Sequence, residues 1–230
     1  DHRDLHSFPT RRSSDLLVGK EPHGEAGILN DSIAYINEHF PTVQITAVEK
    51  DNLDALKLEN LKNYDVLMLE QVQVEDGNPP DFVKEGIEQF LKGGGGMVVS
   101  HFAVANMQNW RDSIHILGSM WVNGKSTHFA AHEFRLDMKD EAHPIVEGVK
   151  PFVTFDELYY NLLMRPDMHI IMTANENLFG SLIAEPMLMT YYVYNARCVY
   201  FALGHDQKAC SPPEFRKILA QSIEWAACRR

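Results

Sequence analysis

The chain is poor in cysteine, poor in basic residues and free of long apolar runs. Its three cysteines, Cys198, Cys210 and Cys228, show no CxxC spacing among 230 residues, which argues against a disulfide framework. Lys and Arg number 21 against 32 Asp and Glu, a formal charge of -11. Nucleic acid is therefore excluded as an expected partner, because phosphate binding needs a basic patch. No apolar stretch is long enough to cross a membrane, so no membrane partner is expected. There is no internal repeat and no linker that would separate two domains. What remains is 45% hydrophobic and 23% charged, a balance that suits one globular domain with a substantial core. Eleven histidines are a high count, and they matter only if several converge.

Residues 1–16 read as foreign to that domain. His6 to Leu16 (HSFPTRRSSDL) has no hydrophobic period and matches one reading frame of a common sequencing adapter. The expected domain therefore runs over 17–228, and the native N-terminus is not visible. A cytoplasmic location is expected, with secretion left open for that reason.

The most informative stretch is Gly93-Gly94-Gly95-Gly96-Met97-Val98-Val99-Ser100-His101. The glycines end a helix predicted over 80–91, and Met97 to Val99 read as a strand buried on both faces. Ligands of open α/β sheets bind beyond the carboxyl ends of the strands, where Ser100 and His101 fall. Before this stretch, a strand end at 16–19, a helical stripe over 27–40, and strands at 43–48 and 64–69 give a β-α-β-α-β order. That order implies a parallel sheet with right-handed crossovers. Glu21 and His23 fall in the loop after the first strand. Further strands are predicted at 133–138, 152–155, 169–173, 187–192 and 198–203, and a closing helix over 213–227.

These pieces together resemble the ThuA (trehalose utilisation) family. The resemblance rests on the Gly-rich strand ending at His101, on His128, and on His143-Pro144-Ile145-Val146-Glu147-Gly148. It is completed by Phe155-Asp156-Glu157-Leu158-Tyr159, Leu203-Gly204-His205-Asp206 and Glu224-Trp225-Ala226. It implies an α/β, flavodoxin-like fold of the class I glutamine amidotransferase type, mostly parallel, with helices on both faces. Tyr194-Asn195-Ala196-Arg197 departs from the family's usual Gly-Lys-Gly-Arg, and Met189 stands where a Trp is common. In the wider superfamily a cysteine nucleophile sits on the elbow after the Gly-rich strand. Here His101 stands there, so amidotransferase chemistry, which needs a thiol, is not expected. The implied role is carbohydrate utilisation, on trehalose or a keto-glycoside. An enzyme of this kind would be a hydrolase or lyase; the alternative is a non-catalytic sugar-binding module.

Within that reading His101, His205, Asp156 and Glu157 are the candidate catalytic residues. The two imidazoles end buried-looking strands, whose carboxyl ends a parallel sheet brings together, and they can bind a metal or move protons. Asp156 and Glu157 are adjacent on an extended segment and point to opposite faces, so one of them is expected to face the site. Tyr159, Trp110 and Asp206 are candidate substrate contacts, with Asp206 alternatively a helix cap. Phe102, Trp121 and Tyr160 are further aromatics near the expected mouth. His101, His128 and His205 are candidate ligands for zinc or another divalent metal, and no nucleotide cofactor is expected. His132, four residues after His128, and His143 read as structural. Ser100 lacks the G-x-S-x-G context of a hydrolase nucleophile. The expected partner is a small carbohydrate, and a homo-oligomer is compatible with the sequence.

Overall fold

The computed structural model describes residues 15–18, 30–178 and 181–228. In chain order the first half contains β1 (Asp15–Val18), α1 (Asn30–His39), β2 (Ile45–Val48), α2 (Leu58–Leu61), β3 (Val66–Leu69), α3 (Asp81–Lys92) and β4 (Gly96–Ser100). Then follow α4 (Ala103–Asn106), α5 (Ser113–Leu117), β5 (Ser119–Met120), β6 (Thr127–His128), β7 (His132–Met138), β8 (Phe152–Asp156), β9 (Tyr159–Tyr160) and β10 (Leu163–Met164). The chain closes with β11 (His169–Leu178), β12 (Ser181–Val193), β13 (Ala196–Phe201), α6 (Gln207–Cys210) and α7 (Pro213–Ala226).

Nine strands form one sheet in the order β2-β1-β3-β4-β13-β12-β11-β7-β8. The first five run parallel, in the flavodoxin-like sequence of crossovers. The last four extend the sheet in antiparallel pairs. β3 and β4 are buried along their whole length, as central parallel strands covered on both faces must be. α3 turns Val83, Ile87, Phe90 and Leu91 inward, and it packs beside α2, while α1 packs beside α7. The fold is thus α/β and flavodoxin-like, with helices on both faces.

Gly96 fixes the seat of the closing helix. A Cβ there would stand 2.3 Å from the Ala226 carbonyl oxygen, so only glycine lets α7 lie this close to the start of β4. Asp15 and Leu16 open β1, the strand whose end is expected at 16–19, and pair with both β2 and β3. Glu21 and His23 lie outside the described residues.

The antiparallel half sets the shape. β8 is four strand spacings from β13, about 19 Å in a flat sheet. Yet the amides of Gly204 and His205, just after β13, donate to the Asp156 carboxylate at the end of β8 at 2.8 and 3.2 Å. The twisted sheet therefore curls, and the end of its last strand folds over the carboxyl ends of β4 and β13.

Candidate functional site

Four segments meet at that closure. β4 ends in Ser100, and the next residue, His101, takes a positive φ of 31°, uncommon outside glycine. Its amide donates to the Phe201 carbonyl at 3.0 Å, and its ring Nδ1 lies 3.0 Å from the Ala202 carbonyl. A carbonyl only accepts, so Nδ1 carries hydrogen and Nε2 turns into the site. There the Tyr159 hydroxyl meets it at 3.0 Å, and the two rings lie 4.4 Å apart.

Glu157 is the hub. Its Oε2 lies 3.1 Å from His205 Nδ1 and 3.6 Å from His101 Nε2, and its Oε1 lies 3.2 Å from His128 Nδ1. Burial alone would raise its pKa. Hydrogen bonds to His101 and His205, with the charges of His205 and His128, overcome this and hold the carboxyl far below the usual carboxylate range. The His205 imidazole is raised in turn, chiefly by its hydrogen bond to Glu157 and against its own burial. His128 arrives through the short pairing of β6 with β9, which sets it opposite Tyr159. Trp121 stands over both rings, 5.3 Å from Tyr159 and 5.9 Å from His128.

Asp156 is turned the other way, as alternation along a strand requires. It is fully buried; its Oδ1 accepts the Glu157 amide at 2.7 Å and the His205 amide, and its Oδ2 accepts the Gly204 amide. Burial raises its pKa, with the His101 charge and the three amides opposing. It therefore holds the backbone of Glu157 and His205 rather than facing the site. Gly204 has φ +126°, a conformation reserved for glycine, and this turn delivers His205. Asp206 is the helix cap of the two readings above: it accepts the Ala209 amide at 2.7 Å and opens α6.

Of the expected contacts, His101, His128, Glu157, Tyr159 and His205 come together. Trp110 does not: it is 4% exposed and packed in the main core. Tyr160 turns its hydroxyl to Glu176, which also pairs with His132 at 2.9 Å. His143 accepts the Ile145 amide and packs on Trp225. Glu70, not singled out on sequence, is buried one residue beyond β3 and accepts the Ser100 hydroxyl. Burial, with the nearby Asp156 charge, pushes its carboxyl well up. The signal was available, since a carboxylate directly after an apolar strand obeys the same positional rule as His101. A surface hollow of about 470 Å3 beside α2 and α3, lined by Lys57, Glu59, Phe82 and Gln89, gathers no comparable set of groups.

The grouping can do two kinds of chemistry. Imidazoles around a carboxylate can exchange protons with a ligand. Alternatively, nitrogen and oxygen donors of this kind can hold a divalent cation. The three donors of His101, Glu157 and His205 lie within 4.8 Å of one another.

No helix among the described residues is long and apolar enough to cross a membrane. No curated protein sequence matches the chain. Solved structures do. A ThuA-like protein from Parabacteroides merdae shares 21% identity at a TM-score of 0.76, covering 94% of this chain and 90% of its own. A cytoplasmic protein of Salmonella typhimurium shares 15% at 0.67, covering 92% and 98%. A glutamine amidotransferase from Thermotoga maritima shares 10% at 0.55, covering 94% and 99%. At these identities the likeness shows the fold. The sequence itself matches the family described as trehalose utilisation, ThuA, over residues 18–226, and the chain belongs to that family.

Proposed function

We propose that this chain serves carbohydrate utilisation as an enzyme acting on a hydroxyl-rich sugar, a disaccharide or a keto-glycoside, at the Glu157 site. One observation carries the reading: a single carboxylate is contacted by His101, His128 and His205, with Tyr159 alongside. Such a set offers hydrogen-bond donors and acceptors to several hydroxyls at once. The part-exposed Trp121 beside Tyr159 offers an aromatic surface of the kind that packs on the apolar side of a sugar ring. The family's description supports the substrate class. Hydrolysis or elimination of a glycoside moves a proton at the sugar, and groups suited to that transfer surround Glu157.

Glutamine amidotransferase chemistry does not fit these residues. His101 occupies the turn after β4, and Cys198 and Cys210 are buried, Cys198 with its thiol pushed up to about 12 by burial. A thiol held that high is not the nucleophile such chemistry needs. A cytoplasmic location is part of the proposal, supported by the description of the Salmonella neighbour.

Calorimetric titration of trehalose and of a keto-glycoside into the protein tests the reading, with products followed by chromatography. Wild type is expected to bind at least one sugar and to convert it. Glu157→Gln and Trp121→Ala, checked for folding by circular dichroism, are expected to bind at least 10-fold more weakly. Binding without product would make the chain a sugar-binding module. Absence of binding by folded wild type would remove the carbohydrate reading.

A further inference from the structure

We propose that His101, Glu157 and His205 form a binding site for one divalent transition-metal cation of the zinc class. The proposal rests on the reading that this cluster is the functional site, and it is independent of which sugar, if any, binds there. The first argument is spacing. In a tetrahedral zinc site with metal–nitrogen and metal–oxygen distances of about 2.0–2.2 Å, neighbouring ligand atoms lie about 3.4 Å apart. The observed separations from Glu157 Oε2 are 3.1 Å to His205 Nδ1 and 3.6 Å to His101 Nε2, on either side of that value.

The second argument is the outer contacts. A metal-bound imidazole ordinarily donates its other ring N–H to a carbonyl or carboxylate, which fixes the tautomer. His101 does so toward Ala202, and its Nε2 lies 3.0 Å from the Tyr159 hydroxyl and 3.6 Å from Glu157 Oε2. Asp156 fixes the backbones of the other two donors through the Glu157 and His205 amides. The frame is therefore set before any ion arrives. Two imidazoles and one carboxylate are the protein donor set of one class of catalytic zinc site.

The third argument is convergence. Nitrogens of two imidazoles, with ring centroids 5.6 Å apart, address one carboxylate oxygen, so a cation seated among the three atoms would be held by all of them at once. His128 then remains on the other oxygen of Glu157, outside the three ligands, contrary to the expectation that three histidines form the set.

The test is metal binding by the full chain, read without any activity assay. Chelator-treated protein is titrated with Zn2+ alone, and separately with Co2+, whose visible spectrum reports coordination. About one equivalent is expected, with tetrahedral cobalt bands. Glu157→Gln and His205→Ala are expected to weaken binding at least 100-fold, while His128→Ala stays within 10-fold. His169→Ala, which breaks an exposed imidazole–carboxylate pair with Asp140 at 2.8 Å, is expected to change nothing. Folding of each variant is checked by circular dichroism. A folded wild type that takes up no metal overturns the proposal, as does undiminished stoichiometric binding in both ligand variants. Sugar binding by the metal-free protein would leave the carbohydrate reading standing alone. Metal binding without any sugar would leave this inference standing alone.

Discussion

His101 and Glu157 differ in how far their roles could be read before the fold was known. His101 ends a run of buried β residues, and the rule that sites lie beyond the carboxyl ends of parallel strands is enough to locate it. His205 follows from the same rule, since β13 is the parallel neighbour of β4. Glu157 and Asp156 are chemically similar and adjacent. Their opposite directions are predictable, but which of them meets the histidines depends on how a distant strand curls. Trp110 and Trp121 pose the same difficulty: one is core and the other stands over Tyr159, and neither has a local pattern that says so. The cysteines allow a direct check at this scale. Cys198 and Cys210 are buried with raised thiol pKa values, and Cys228 is exposed. Since the thiolate is the reactive species, native protein treated with iodoacetamide at pH 8 should be labelled at Cys228, with labelling of the other two at least 10-fold slower by peptide mass spectrometry. Fast modification of Cys198 in folded protein would contradict the burial described.

Elements were legible in proportion to their length and to the evenness of their burial. β3, β4 and β13 are short apolar runs, and α3 carries a clear stripe, so each is found close to its observed bounds. The two-residue strands β5, β6, β9 and β10 are too short to show any period, yet β6 and β9 bring His128 to Tyr159. The sequence pattern shows β12 over 187–192 alone because its first half leaves the core, with Leu182 76% exposed, and exposure erases the burial pattern. The four-glycine run was read as a helix stop, which it is. Its second role at Gly96 is a contact with a helix more than a hundred residues later, and nothing local reports it. Gly96→Val would drive side-chain carbon into the α7 backbone, which cannot yield as a flexible side chain would. A loss of about 3 kcal/mol in urea unfolding is expected. Gly93→Ala, at an ordinary helical φ of -74°, should cost less than about 1 kcal/mol. Equal costs would show that α7 does not depend on that close approach.

At the scale of the whole molecule, the site exists because two kinds of sheet are joined into one. The parallel half supplies His101 and His205, and the antiparallel half supplies Glu157 and, through the segment around β6 and β9, His128 and Tyr159. Asp156, itself fully buried, ties the halves together by accepting amides from both. An unpaired buried polar group costs about 1–3 kcal/mol. Asp156→Ala removes the acceptor for three of them, and the loss should be at least about 3 kcal/mol after neighbouring groups relax. Asp156→Asn keeps the shape but retains only one oxygen, and it should fall between that variant and wild type. If the tie works as described, wild type should unfold in one step in urea, with far-UV circular dichroism and tryptophan fluorescence coinciding. Trp121 reports the site and Trp225 reports α7, so fluorescence samples both regions. In Asp156→Ala the fluorescence change should come at lower urea than the loss of secondary structure, because the closure over the strand ends fails first. Coincident transitions in Asp156→Ala with an unchanged midpoint would mean that the curl of the sheet, and with it the meeting of Glu157 and the histidines, is held by packing elsewhere.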